Sequence, residues 1–279
     1  MNPLIRIFGL SALICLLPLL DSLAQPINPK PRDSAYPENI EEEREIIPYH
    51  FIREADVFWR KRIWREIDVR EKMNLAFAYP GRTFSGLLLD AIREQQLFVY
   101  EAGLSDDFSK PLNVSELEKM LYRADTVPSI SPFTGRDTIL IVINEVNPED
   151  VKVIRLKEDW IFDEGRSTMT VRILGICPVI DRRDQTTGEI LGKLPLFWVY
   201  YPDARQLLAN HYAFNPYNDA VQLSWEEILE NRMFSSYVVK ESNVYDRRIQ
   251  DYAAGIDAVL EAERLKYELF KKEHELWTY

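Results

Sequence analysis

Apolar positions open the chain as an unbroken run and later recur with period. From Ile7 to Leu20 only Gly, Ser and Pro interrupt them, behind a short start carrying Arg6. That run is shorter than the ~20 residues that span a bilayer. Asp21 ends it, and Ser22-Leu23-Ala24 places small residues where a signal peptidase reads them, which predicts cleavage between Ala24 and Gln25. Ala12-Leu13-Ile14 lacks the small residues that precede a lipidated cysteine, so Cys15 predicts no lipid anchor. Gln25 to Pro48 then carries Pro26, Pro29, Pro31, Pro37 and Pro48 around Glu41-Glu42-Glu43-Arg44-Glu45. With few large apolar side chains it reads as an extended arm, either a linker or a strap that orders on a partner.

Periodic segments follow. Glu54 to Asn74 reads as a helix, with Trp59, Ile63 and Ile67 four apart and Val57 and Trp64 widening the stripe. Asp56 with Arg60, Glu66 with Arg70 and Asp68 with Lys72 place each acid four residues before a base, which supports that reading. Phe84 to Leu97 is a second helical pattern, and Ser115 with Glu118 predicts the capping box of a third. After Pro128 β-branched and aromatic residues dominate. Strands are expected at Ile139 to Ile143, Val151 to Phe162, Ser167 to Ile180 and Leu194 to Tyr201, with Glu164-Gly165 as one turn and Pro202 as the end. A helix at Ser224 to Phe234, a strand at Tyr237 to Lys240 and a long helix from Ile249 to Trp277 complete the pattern. Unbroken, that last helix would run about 43 Å, with Gly255 as its weak point. The fold class is α+β: an antiparallel sheet meander flanked by helices, with a long C-terminal helix and an extended N-terminal arm.

Charge and cysteine content narrow the function. The net charge is −11, and losing the leader removes Arg6 and Asp21 together, leaving it unchanged. An acidic chain is a poor partner for nucleic acid, and no later segment is apolar enough to enter a membrane. Cleavage leaves Cys177 as the one thiol, so no internal disulfide forms. His50, His211 and His274 have no metal-ligand spacing, and no cofactor is expected. Gly188 to Lys193 is one residue short of a phosphate loop, with Leu194 where Ser or Thr is needed. Glu158-Asp159 with Asp163-Glu164 keeps open a stand-alone periplasmic hydrolase or carbohydrate-binding protein that works through paired carboxylates. Arg60-Lys61-Arg62 between Trp59 and Trp64 looks like a nucleic-acid patch, but acidity and export turn it toward the chain's own core or a subunit contact. Trp59, Trp64, Arg65, Tyr267 and Phe270 are therefore the candidate partner-binding residues, and no catalytic residue is expected.

Several stretches together resemble one family. They are Ile52-Arg53-Glu54-Ala55-Asp56-Val57 with Trp59, Lys61-Arg62-Ile63-Trp64-Arg65, Ile67-Asp68-Val69-Arg70-Glu71-Lys72-Met73-Asn74, and Leu156-Lys157-Glu158-Asp159-Trp160. Gly175-Ile176-Cys177-Pro178, Leu196-Phe197-Trp198-Val199-Tyr200-Tyr201-Pro202 and Met233-Phe234-Ser235-Ser236-Tyr237 continue the likeness. It is to the GldN family of gliding motility proteins, called PorN in non-gliding bacteria, of the type IX secretion machinery. The resemblance implies a non-enzymatic periplasmic subunit that self-associates in a ring with a GldK- or PorK-like outer-membrane lipoprotein. It also implies contact with a GldM- or PorM-like motor component. On this reading residues 1–24 are the leader, 25–48 the arm and 49–279 a single α+β domain.

Overall fold

The stretch that carries Trp59, Trp64 and Arg65 is a strand. The computed structural model describes residues 44–103, 106–130, 137–183, 189–216, 218 and 220–276, and the leader, the Ala24–Gln25 junction and most of the arm lie outside them. A 3-10 turn at Glu54–Asp56 leads into β1, Val57–Asp68. This corrects the helix expected over Glu54 to Asn74. A spacing of four puts residues on one side of a helix, but also on one face of a strand, where i, i+2 and i+4 align. Lys61 and Arg65 occupy the intervening positions on that face, and their charges hid the period of two. The expected i,i+4 ion pairs give way to others: Asp56 turns back to Arg53, Asp68 pairs with Arg70, and Glu66 crosses to Arg155.

After β1 come β2 (Val99–Glu101), β3 (Pro111–Leu112), β4 (Tyr122–Ile130), β5 (Asp137–Glu145), β6 (Val151–Asp163) and β7 (Thr168–Arg183). Then follow β8 (Ile190–Pro195), β9 (Phe197–Tyr200), β10 (Tyr212–Ala213), β11 (Leu223–Ser224) and β12 (Tyr237–Glu241). The main sheet runs β12-β1-β6-β7-β9-β2-β3 with β8 also on β7, and its neighbours pair antiparallel. The expected meander is thus present and longer than expected. The single strand expected over Leu194 to Tyr201 is divided between β8 and β9. β4 pairs with β5 in a separate hairpin.

The helices are α1 (Phe84–Arg93), α2 (Val114–Leu121), α3 (Tyr201–Asn210), α4 (Trp225–Glu230) and α5 (Ile256–Leu276). For α2 the capping carboxylate is Glu116, which accepts from the Asn113 amide at 3.1 Å, so the cap lies two residues before the expected Ser115 and Glu118. Pro202, expected only to end a strand, sits in the first turn of α3, where its missing N–H costs nothing. Ser224 caps α4 by accepting from Glu227. Gly255, at φ +59°, separates a 3-10 turn at Ile249–Asp251 from α5, which is about 31 Å long.

Helices pack on one face of the sheet. Ile67, Ile154, Leu156 and Ile176 meet Phe84, Leu88, Leu117, Tyr201, Leu208, Trp225 and Leu229 of α1 to α4 in the main core. Ile63 and Val238 meet Ala262, Leu265 and Leu269 of α5 in a second cluster. Arg65 lies between Ile63 and Ile67 on this face and makes a polar seam between the two: it reaches Glu158 at 3.4 Å, and Arg232 reaches Glu158 at 3.0 Å. The Trp160 indole N–H also donates to Glu158 at 3.1 Å. On the opposite face Trp64, Val153, Cys177, Val179 and Trp198 form a third cluster.

That opposite face also carries a ladder of opposite charges, because β1 and β6 align Arg62 with Asp159 and Glu66 with Arg155. Arg62 grips Asp159 with two bonds, of 2.7 and 3.0 Å. Glu66, 1% exposed, accepts from Arg155 at 2.6 Å, from the Tyr237 hydroxyl at 3.0 Å, and from Lys193. Burial by itself raises the Glu66 carboxyl, but Arg155 and Lys193 outweigh it and hold the group below the usual carboxylate range.

Removing this carboxylate strands two cations in or near the interior. Glu66→Gln is expected to cost about 3–5 kcal/mol in urea unfolding, while Glu66→Leu with Arg155→Met and Lys193→Met recovers most of that loss. A folded pKa held below the unfolded value, near 4.3 for Glu, gives stability that is present above that pH and lost as pH falls through the folded value. The wild type therefore loses stability more steeply than Glu66→Gln below about pH 4. A single-substitution cost under about 1 kcal/mol would remove Glu66 from this role.

Candidate functional site

Three of the five contact candidates lie within the fold. Trp64 is buried, its indole N–H donating to Asp106 at 2.6 Å and the Lys240 ammonium lying 4.5 Å from its ring centre. Trp59 is partly buried against the α5 cluster. Arg65 is buried with Glu158 and stacks 5.7 Å from Trp160, and burial pulls its guanidinium pKa down against the opposing charge of Glu158. These side chains serve the chain's own core, as large aromatics usually do.

The acidic pairs do not converge. Glu158 and Asp159 are consecutive in β6 and so face opposite sides of the sheet, Glu158 toward Arg65 and Arg232 and Asp159 toward Arg60 and Arg62. A cleft of about 750 Å³ lies over the Trp64 face, lined by Arg60, Arg62, Trp198, Lys240 and Asp246 among others. Four of its cations are paired: Arg60 and Arg62 share Asp159 at 2.9 and 2.7 Å, Arg155 holds Glu66, and Lys240 pairs with Asp246 at 2.6 Å. Cys177 is fully buried, and desolvation pushes its thiol up to about 12, so no reactive thiolate forms near neutrality. Among the described residues no group of three His, Cys, Asp or Glu is placed to hold a metal, and no helix is long and apolar enough to cross a membrane.

Tyr267 and Phe270 lie elsewhere, on the outer side of α5. The inner side, Ala258, Ala262, Leu265 and Leu269, packs on the sheet. Away from it stand Ile256, Leu260, Tyr267 and Phe270, with Val259 at the edge toward the sheet, exposed by 78, 62, 64, 65 and 63%. An amphipathic helix normally turns one apolar stripe inward and charge outward. This helix has two apolar stripes, and the exposed one, two apolar groups either side of Glu263, suits an interaction surface. Ile256, Val259 and Leu260 belong to it although only Tyr267 and Phe270 were expected; their spacing was readable in the sequence, but which side faced the sheet was not. An apolar groove of about 550 Å³ adjoins it, lined by Val238, Ile249 and the small residues Ala253, Ala254, Gly255 and Ala258.

The root of the arm is also placed. The Arg44 amide donates to Asn210 at 3.0 Å, its guanidinium reaches Glu227 at 3.0 Å, and its carbonyl accepts from Gln206 at 2.7 Å. Arg205 donates to the Ile47 carbonyl at 3.0 Å and lies 3.9 Å from the Tyr49 ring centre. The Tyr49 hydroxyl bonds Glu230, and burial with that bond raises its pKa. Residues 44–49 thus strap onto α3 and α4, a role of Tyr49 that no sequence motif announced.

The family model for the gliding motility associated protein GldN matches residues 52–278. The chain belongs to the GldN family. GldN proteins are components of the gliding motility and type IX secretion machinery, structural parts rather than known enzymes. A comparison with curated proteins gives no match. The GldN match spans β1 to α5, so the buried ladder and the exposed stripe both lie within the family's own region.

Two substitutions separate folding from contact in this GldN protein. Trp64→Ala is expected to cost about 3–5 kcal/mol in chemical denaturation, as for a buried Trp. Phe270→Asp is expected to leave stability within about 0.5 kcal/mol of wild type, as an exposed position does. Equal effects of the two would contradict the division drawn between them.

Proposed function

We propose that this protein is a non-enzymatic structural subunit working in the periplasm. It is released there by cleavage between Ala24 and Gln25 and assembles with a GldK- or PorK-like outer-membrane lipoprotein into a ring of repeated copies. A GldM- or PorM-like motor component meets that ring, and the assembly serves export across the outer membrane and gliding. The observation that carries the reading is GldN membership together with a second apolar stripe on α5, a surface that suits a subunit contact. Ile256, Val259, Leu260, Tyr267 and Phe270 form its subunit contact. Trp59, Trp64 and Arg65 support that contact indirectly, by holding the sheet on which α5 rests.

The test is affinity purification of the tagged full chain from cell envelopes, with secretion of outer-membrane-crossing cargo followed in a deletion strain. The lipoprotein is expected to co-purify in a high-mass complex, and cargo secretion is expected to stop on deletion. Tyr267→Asp with Phe270→Asp is expected to reduce the high-mass fraction by about tenfold, the loss of roughly 1.4 kcal/mol of contact energy. Normal secretion in the deletion strain would overturn the reading.

A further inference from the structure

The outer stripe of α5 has a seam with a defined register. Ile256, Leu260, Glu263, Tyr267 and Phe270 are spaced 4, 3, 4 and 3, the repeat that keeps one line of side chains facing a partner helix. Glu263 lies midway along this seam at the rim of the sheet-side groove, largely exposed and 3.7 Å from Lys266. That interruption decides what the seam accepts. We propose that α5 pairs antiparallel with α5 of a second copy of this chain, Leu260 against the partner's Phe270 and Glu263 against the partner's Tyr267.

The register follows from the residues. With the two-fold axis at Leu265, each layer joins positions ten or four residues apart, so Leu260 meets Phe270 and Glu263 meets Tyr267, twice each by symmetry. The Tyr267 hydroxyl then donates to the Glu263 carboxylate, satisfying the seam's polar member in its two central layers. At the flanks Asp257 faces Lys271 of the second helix, again twice. A parallel pairing would set Glu263 on Glu263 and Lys266 beside Lys271, placing like charges in and beside the seam. The antiparallel pairing brings Arg264 and Lys266 each near its own copy, but Arg264 is already engaged by Glu261 at 2.6 Å and by Glu268, and Lys266 lies 3.7 Å from Glu263 of its own helix. The inner side of α5 stays on its own sheet, because Ala258, Ala262, Leu265 and Leu269 lie opposite the seam. Covering the five exposed apolar residues on both copies removes on the order of 1,000 Å² from water, the lower end of what a specific interface buries.

This deepens the proposed subunit contact by naming its occupant, and the test separates the two. Two differently tagged full chains are co-produced, one with Leu260→Cys and one with Phe270→Cys, and their envelopes are oxidised. Cys177 is fully buried and does not compete. Antiparallel pairing brings these two positions together, whereas Leu260 lies about 15 Å along the axis from Leu260 of the second copy. The mixed disulfide is expected to exceed the Leu260→Cys homodimer by about tenfold or more. A dominant Leu260→Cys homodimer, or no crosslink while both chains accumulate normally, overturns the proposal. In a cysteine-independent arm, sedimentation of the purified chain from Gln25 onward is expected to show dimer affinity falling roughly fivefold for Asp257→Lys, which reverses two exposed ion pairs. Affinity is expected to return when Lys271→Asp is added, and no change in either variant counts against the register. Lipoprotein retained without the crosslink would defeat this pairing alone, and the crosslink without lipoprotein would defeat the partner assignment alone.

Discussion

A carboxylate with 1% of its surface exposed meets two cations and a phenol from three other strands, and the sheet is organised around it. Glu66 sits on β1, Arg155 on β6, Lys193 on β8 and Tyr237 on β12. Burying a charge is tolerable only with every partner in place, so these strands have one alignment that satisfies Glu66. A slip of one residue in β1 would turn Glu66 to the helix face and bring Ile67 out beneath the third cluster. Electrostatics here selects register more than it adds stability, and the apolar clusters on both faces then fill the spaces that the register defines.

Where side chains alternate without charge on the inner face, the sequence was readable. β7 alternates Met169, Val171 and Ile173 with polar residues after a Glu164-Gly165 turn, Ser224 precedes Glu227 by three residues, and Gly255 stands where α5 begins. β1 was not readable, because its outer face carries Arg62 and Glu66 of the ladder and its inner face interleaves Lys61 and Arg65 with Trp59, Ile63 and Ile67. Asp106 and Lys193 reach their partners from 51 and 127 residues away in the chain, and no local pattern encodes such meetings. For the candidate site, the composition of α5 revealed an aromatic-rich helix, but only packing on β12 and β1 assigned Leu265 and Leu269 inward and Tyr267 and Phe270 outward.

A GldN protein built this way divides its surface by task. One sheet face is closed by opposed charges beneath a cleft where Arg60 and Lys240 already hold carboxylates. The other face is covered by helices, and the last of them is apolar on both sides. Polar satisfaction inside and apolar exposure outside suit a part whose energy is released on joining others. Its stability before joining rests on the ladder and the clusters, so the outer stripe is free to be specific.

The strap at residues 44–49 has a mechanical consequence. Arg44, Ile47 and Tyr49 each hold α3 or α4 through a separate bond, set out along one extended segment. A pull along residues 44–49 loads these bonds together in shear, whereas a force perpendicular to the segment peels them one at a time. Three bonds spread over six residues therefore resist a pull along the segment better than a lift away from α3 and α4.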